Sequence, residues 1–195
     1  MGKLIYLMGK SSSGKDTIYK ELIKTSELKL KKMILYTTRP IRANETDGVQ
    51  YHFVDEKCYE EIKKSGRIIE ERSYSTFHGL WRYFTVDDES VDLENHNYLI
   101  IGTIESFIKT ADYYGRNKVL PIYLELDDGI RLQRALNREM MQEKPKYQEM
   151  CRRFLADQED FSDENLQNAG IAYRFNNEDL NECMNSIKEY LQEFM

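Results

Sequence analysis

Gly9-Lys10-Ser11-Ser12-Ser13-Gly14-Lys15-Asp16-Thr17 is the stretch that decides how the chain is read. Its GxxxxGK spacing follows a short apolar run, Lys3 to Met8, and precedes a helix-like segment from Thr17 to Lys24. A buried strand, a glycine-rich turn and a helix in that order form a phosphate-binding loop. The glycines let backbone N–H groups turn inward around phosphate oxygens. The helix N-terminus adds partial positive charge, and Lys15 places a full charge on the β and γ phosphates. Gly9, Ser11, Ser12, Ser13, Gly14, Lys15, Asp16 and Thr17 are therefore candidate ATP contacts. A Ser or Thr usually follows the lysine and holds Mg²⁺. Here Asp16 takes that place and Thr17 follows, so both are candidate metal ligands, as hard oxygen donors. The competing reading is a Ser/Gly-rich turn with a solvated lysine.

Outward from the loop, strand-like and helix-like runs alternate. Lys32 to Thr37, Tyr98 to Gly102 and Val119 to Leu126 read as strands, with amphipathic helical stretches over 104–114 and 128–142. A last strand near Ile171 to Phe175 and a last helix near Asp179 to Phe194 close the chain. This alternation predicts an α/β domain with a parallel sheet. Tyr147, Met150, Cys151, Phe154 and Phe161 recur at helical spacing, which predicts a stripe facing the core. Between 50 and 92 the pattern changes: Tyr51 to Val54, Ile68 to Ser73 and Tyr83 to Val86 surround a small helix near 56–64. That region reads as an inserted mixed α/β lobe.

The 195 residues suit one well-buried domain, and 41% hydrophobic with 12% aromatic content argues against disorder. Asp and Glu number 34 against 28 Lys and Arg, a net charge of −6, so a general nucleic-acid binder is not expected. No apolar run approaches the roughly 18 residues of a membrane helix. Leu4 to Met8 is too short for a signal-peptide core, and Gly2 lacks the downstream Ser or Thr of a myristoylation site. Cys58, Cys151 and Cys183 are odd in number, scattered, and form no CxxC pair. The expectation is a reduced, cytoplasmic protein, monomer or homodimer, with small-molecule partners and neither nucleic acid nor membrane among them.

Tyr36-Thr37-Thr38-Arg39-Pro40-Ile41-Arg42-Ala43-Asn44-Glu45-Thr46-Asp47-Gly48-Val49-Gln50-Tyr51-His52-Phe53-Val54 resembles, without a gap, the TTRxxRxxExxGxxYxFV segment of guanylate kinases. The resemblance continues in the same order along nearly the whole chain. It implies a P-loop nucleoside monophosphate kinase fold, with a parallel sheet flanked by helices, an inserted mixed α/β acceptor-binding lobe and a lid. The expected single domain divides into a core (1–35, 93–136 and 154–195), an acceptor lobe (36–92) and a lid (137–153). In the family two arginines and a tyrosine grip the monophosphate of GMP, which implies those roles for Arg39, Arg42 and Tyr51, with Glu45 in the same segment. Planar guanidinium forks suit a phosphate dianion. The alternative is a surface turn in which the arginines pair with Glu45 or Asp47. Arg134 and Arg138 lie one helical turn apart, and Arg153-Phe154-Leu155-Ala156-Asp157-Gln158 resembles the second lid arginine and its helix. Arginines over the phosphates stabilise charge on the transferring group. The resemblance thus implies Arg134 at ATP, and Arg138 and Arg153 in catalysis with Lys15, Arg39 and Arg42. Asn177-Glu178-Asp179-Leu180 is similar to the turn near the family's adenine pocket.

Glu70 matches the family's guanine-reading glutamate. The segment after it becomes Thr76-Phe77-His78-Gly79-Leu80, where His78, beside Gly79, replaces a phosphate-binding tyrosine and Leu80 a base-reading hydroxyl. Leu35 stands where a second such hydroxyl is usual, and Thr103 where the family has an Asp in its GMP site. Met1 to Gly9 and the pair Lys15-Asp16 are similar to ribose 1,5-bisphosphate phosphokinases. The implied activity is phosphoryl transfer from Mg·ATP to GMP. Two alternatives stand beside it: a kinase for another phosphorylated acceptor such as ribose 1,5-bisphosphate, and a non-catalytic module that binds phosphopeptide or GMP.

Overall fold

The structure is a computed structural model and describes residues 2–76 and 79–195. The first half of the chain forms β1 (Leu4–Gly9), α1 (Lys15–Lys24), β2 (Leu30–Lys32), β3 (Tyr36–Thr37), β4 (His52–Phe53), α2 (Glu56–Lys64), β5 (Ile68–Thr76) and β6 (Gly79–Val86). The second half forms β7 (Asn97–Ile101), α3 (Ile104–Tyr114), β8 (Val119–Glu125), α4 (Asp128–Met140), α5 (Tyr147–Asp160), α6 (Asp163–Asn168), β9 (Arg174–Asn176) and α7 (Leu180–Phe194).

Every residue of β1 is buried, as expected for a strand covered on both faces. It is the centre of a parallel sheet ordered β2-β7-β1-β8-β9. The two-residue period of the strand divides its side chains between two cores. Leu4, Tyr6 and Met8 join Ile104 and Phe107 of α3 and Leu166 of α6. Ile5 and Leu7 join Ile18 and Leu22 of α1 and Ile187 and Leu191 of α7. Helices therefore flank both faces, and the crevice at the carboxyl ends of the strands, where β1 runs out at Gly9, is where such sheets bind ligands.

A second, mixed sheet is ordered β4-β3-β6-β5, with β3 parallel to β4 and antiparallel to β6. Its own small core holds Tyr59 and Ile62 of α2 against Phe84 and Val86. The architecture is the α/β one expected, with a helix-flanked parallel sheet and a separate mixed one.

Two expectations need correction. Lys32 to Thr37 is not one strand: β2 ends the parallel sheet's edge at Lys32, and β3 opens the mixed sheet at Tyr36. Met33 and Leu35 between them are buried in the main core, so their apolar character reflects crossover packing. The stripe beginning at Tyr147 does not face the core either. No residue of α5 is buried, and only Phe161, just past its end, enters the core. The helical period is right, but its partner is different: Phe154 lies 5.0 Å from the Arg131 guanidinium of α4.

Candidate functional site

The phosphate loop joins β1 to α1. Gly14 caps α1 with φ 93°, and a Cβ there would lie 2.3 Å from Asn177 Nδ2, so only glycine fits. The amide of Asn177, which is 4% exposed, donates to Ser13 O at 2.6 Å. Lys15 Nζ donates to Gly9 O at 2.6 Å and to Lys10 O at 2.9 Å. Burial pushes Lys15 down to about 8, against the opposing pull of Asp157 and Asp16.

A brace that sequence reasoning missed holds the loop from outside. Arg131 of α4 is 1% exposed; its Nε donates to Ser11 O at 3.0 Å and its Nη2 to Asp157 at 3.0 Å, and it also pairs with Asp128. Asp157 of α5 accepts the Ser11 backbone N–H at 2.7 Å. Arg153 Nη2 donates to Ser11 Oγ at 3.0 Å, and Lys10 Nζ donates to Gln158 at 2.5 Å. One signal was readable: Arg131, Ala135 and Glu139, the buried residues of α4, recur every fourth position with charges on the stripe. That spacing marks a face turned toward a polar partner.

Arg134, Arg138 and Arg153, all exposed, share one cavity of about 570 Å³ with Ser11, Ser12, Gly14, Lys15, Asp16, Thr17 and Asn177. The predicted phosphate-loop residues and all three later arginines are thus brought together around the cavity, apart from Gly9 and Ser13, which are buried and do not line it. Asp16 and Thr17 are exposed in the first turn of α1.

The acceptor-segment residues gather in the mixed-sheet region. Arg39, 4% exposed, donates through both terminal nitrogens to the two oxygens of Glu45 at 2.8 Å, and Nη1 also reaches Pro40 O at 2.9 Å. Its guanidinium stands 5.4 Å from the Tyr51 ring centre and 5.3 Å from that of Phe53. The Arg39 fork holds the Glu45 carboxyl down at about 2, with the Arg42 backbone N–H adding to it at 2.9 Å. Arg39 therefore makes the pairing that the surface-turn reading offered, whereas the Arg42 side chain is exposed. Tyr51 packs edge-on to Phe53 and Tyr83.

Glu70 is 2% exposed; it accepts from Thr85 Oγ1 at 2.8 Å and from Arg72 at 3.2 and 3.4 Å. Thr103 is the N-cap of α3 in a reciprocal box with Ser106: its Oγ1 accepts the Ser106 N–H, and Ser106 Oγ accepts the Thr103 N–H. Leu35 belongs to the main core, and Leu80 is 42% exposed on β6, which Gly79 opens. His78, with Met1 and Phe77, lies outside the described residues.

A glycine-rich loop closing the central strand of a parallel sheet, with a half-buried lysine and arginines from two later helices around one cavity, defines a P-loop α/β protein. The guanylate kinase family model matches residues 1–86. Guanylate kinases from several serotypes of Streptococcus pyogenes are 38% identical over 73 residues, 37% of this chain. The chain spans only 35% of the length of these curated relatives. The crystal structure of guanylate kinase from Anaplasma phagocytophilum aligns with a TM-score of 0.65 over 98% of this chain and 85% of that one, at 19% identity. Residues 1–86 are similar to the guanylate kinase family, and the fold of the aligned guanylate kinase structure covers nearly the whole chain.

Proposed function

We propose that the chain transfers the γ-phosphoryl group of Mg·ATP to GMP, giving ADP and GDP. The observation that carries this reading is the convergence of Lys15, Arg134, Arg138 and Arg153 on one cavity at the phosphate loop, in a chain whose 36–54 segment resembles that of guanylate kinases. Loop amides cradle the ATP phosphates, and Lys15 neutralises charge between β and γ. Arg138 and Arg153 stabilise the transferring group, and Arg134 holds the donor nucleotide. Arg42 and the Tyr51 hydroxyl grip the GMP phosphate. Arg39 acts on that grip through Glu45, which fixes the Arg42 backbone. Glu70 accepts from guanine N1–H and the 2-amino group; adenine has no N1–H to offer it. No covalent intermediate is needed, since alignment and exclusion of water carry the step. We further propose the cytoplasm as its compartment, small nucleotides as its partners, and a monomer or homodimer as its form.

Asp16 and Thr17 fit Mg²⁺ by donor type: two exposed hard oxygens at the loop suit an ion that takes one or two protein ligands and shares the rest with phosphates and water. When bound, the ion offsets charge on the β and γ oxygens. Asp16→Asn should raise the Mg²⁺ concentration for half-maximal rate, while metal-free nucleotide binding stays equal or tightens. An unchanged Mg²⁺ titration would assign the metal to Thr17 alone.

The lowered Lys15 value carries a sign. In the free protein Lys15 is protonated below about pH 8 and neutral above it. A polyphosphate favours the protonated form, so binding raises its value and takes up a proton above about pH 8. ATP affinity should fall with rising pH in that range, with a slope approaching one proton, and stay flat well below it. Calorimetry in buffers of different ionisation enthalpy measures the uptake, which should vanish in Lys15→Met.

The test of the reaction itself is a coupled ADP-release assay over GMP, AMP, pyrimidine monophosphates and ribose 1,5-bisphosphate. GMP is expected to be the best acceptor. Turnover of another acceptor with none on GMP at saturating ATP would overturn the proposal.

A further inference from the structure

Guanine presents two donors, N1–H and the 2-amino group, and one acceptor, O6, along the edge assigned to Glu70. A carboxylate only accepts, so O6 needs a donor from elsewhere. Among the described residues, the hydroxyls expected at this edge are missing or engaged. Leu35 and Leu80 have none, the Thr85 hydroxyl already donates to Glu70 Oε1, and the Thr103 hydroxyl, whose oxygen accepts the Ser106 N–H, lies 3.1 Å from Ser106 Oγ in the α3 cap. Arg72 stands beside Glu70 instead. The strand period puts residues 70 and 72 on one face of β5. Arg72 Nε lies 3.2 Å from Oε2 and Nη2 lies 3.4 Å from Oε1, with the Arg72 side chain 13% exposed. Both distances are longer than a tight charge-assisted fork, and Nη1 takes no part in the pairing.

We propose that Arg72 is the O6 donor, so that Glu70 and Arg72 read guanine as a unit, Glu70 taking N1–H and the 2-amino group and Arg72 donating to O6. This rests on the GMP reading above. It also strengthens the rejection of AMP, whose 6-amino group would point its hydrogens at those of the guanidinium.

The test compares kcat and KM for GMP, 6-thio-GMP and IMP in the wild-type protein, Arg72→Met and Arg72→Lys. 6-Thio-GMP keeps N1–H and the 2-amino group but weakens the acceptor at position 6; IMP keeps O6 and lacks the 2-amino group. Wild-type kcat/KM should be about tenfold higher for GMP than for 6-thio-GMP. In Arg72→Met it should fall for GMP by about tenfold to a hundredfold, chiefly through KM, and much less for 6-thio-GMP, so the ratio approaches one. The GMP to IMP ratio should not change. Arg72→Lys, which keeps a charge opposite Glu70, should lie between, and it carries the test if the methionine variant does not bind ATP normally. A GMP to 6-thio-GMP ratio unchanged in both variants would overturn the assignment. So would tighter GMP binding in Arg72→Met, which would make Arg72 a shield over Glu70. Absence of GMP turnover in the wild-type protein is a separate outcome, and it overturns the GMP reading together with this one.

Discussion

Lys15→Ala should lower kcat by at least about 100-fold while leaving the thermal unfolding midpoint nearly unchanged. The rate loss follows from removing a preorganised charge at the transferring phosphoryl group, in a loop whose other contacts survive. The stability expectation follows from the surroundings of the same side chain. Its ammonium rests on two loop carbonyls, Gly9 O and Lys10 O, but burial works against its charged form strongly enough to bring it to about 8. The lost hydrogen bonds and the relieved desolvation oppose one another, so little net change remains. Steady-state kinetics and a melting curve on the same preparation check both halves. Turnover at the wild-type level would remove the loop from the chemistry.

Arg131→Met should destabilise the fold by about 2–4 kcal/mol in urea unfolding and raise the KM for ATP. Methionine keeps most of the stem's volume and removes the fork that joins Ser11 O, Asp157 and Asp128. The Arg131 guanidinium is almost fully enclosed, whereas Asp157 is 14% and Asp128 44% exposed on their side chains. Water can therefore offset part of the loss, which places the cost toward the lower end for a broken buried pair. Asp157 would remain on the Ser11 N–H without its counter-ion, so adding Asp157→Asn should recover part of the stability. A single-variant cost under about 1 kcal/mol, or no recovery in the double variant, would show that the brace contributes little.

The parts of this site that were legible in the sequence are the local ones. GxxxxGK over 9–15 specifies a loop because strand, glycines and helix start lie within a few residues of one another. The Arg39–Glu45 pair was also readable as an option, being six residues apart in one segment. Of the Arg131–Asp157 brace only the α4 face was legible, in its four-residue spacing; the partner was not, because it lies 26 residues away on a separate helix. The apolar spacing of α5 suggests a core-facing stripe, but Tyr147 and Cys151 are exposed and Phe154 packs on the Arg131 guanidinium, a partner that spacing does not reveal. Family spacing puts Leu35 at a base-reading position, and the crossover between β2 and β3 buries it against the main core, which spacing alone does not reveal. Arg72 escaped notice because an arginine in a β-strand beside two glutamates reads as a solvated face, and only burial of Glu70 changes its meaning.

The central claim is that a phosphoryl group passes from ATP at the phosphate loop to the phosphate of GMP. ATP labelled in its γ-phosphate, incubated with GMP, Mg²⁺ and the protein, tests it directly once the products are separated. The account predicts label in GDP, dependent on GMP and nearly absent with Lys15→Ala. Label that stays in ATP, or appears only as inorganic phosphate at a rate indifferent to GMP, would contradict it.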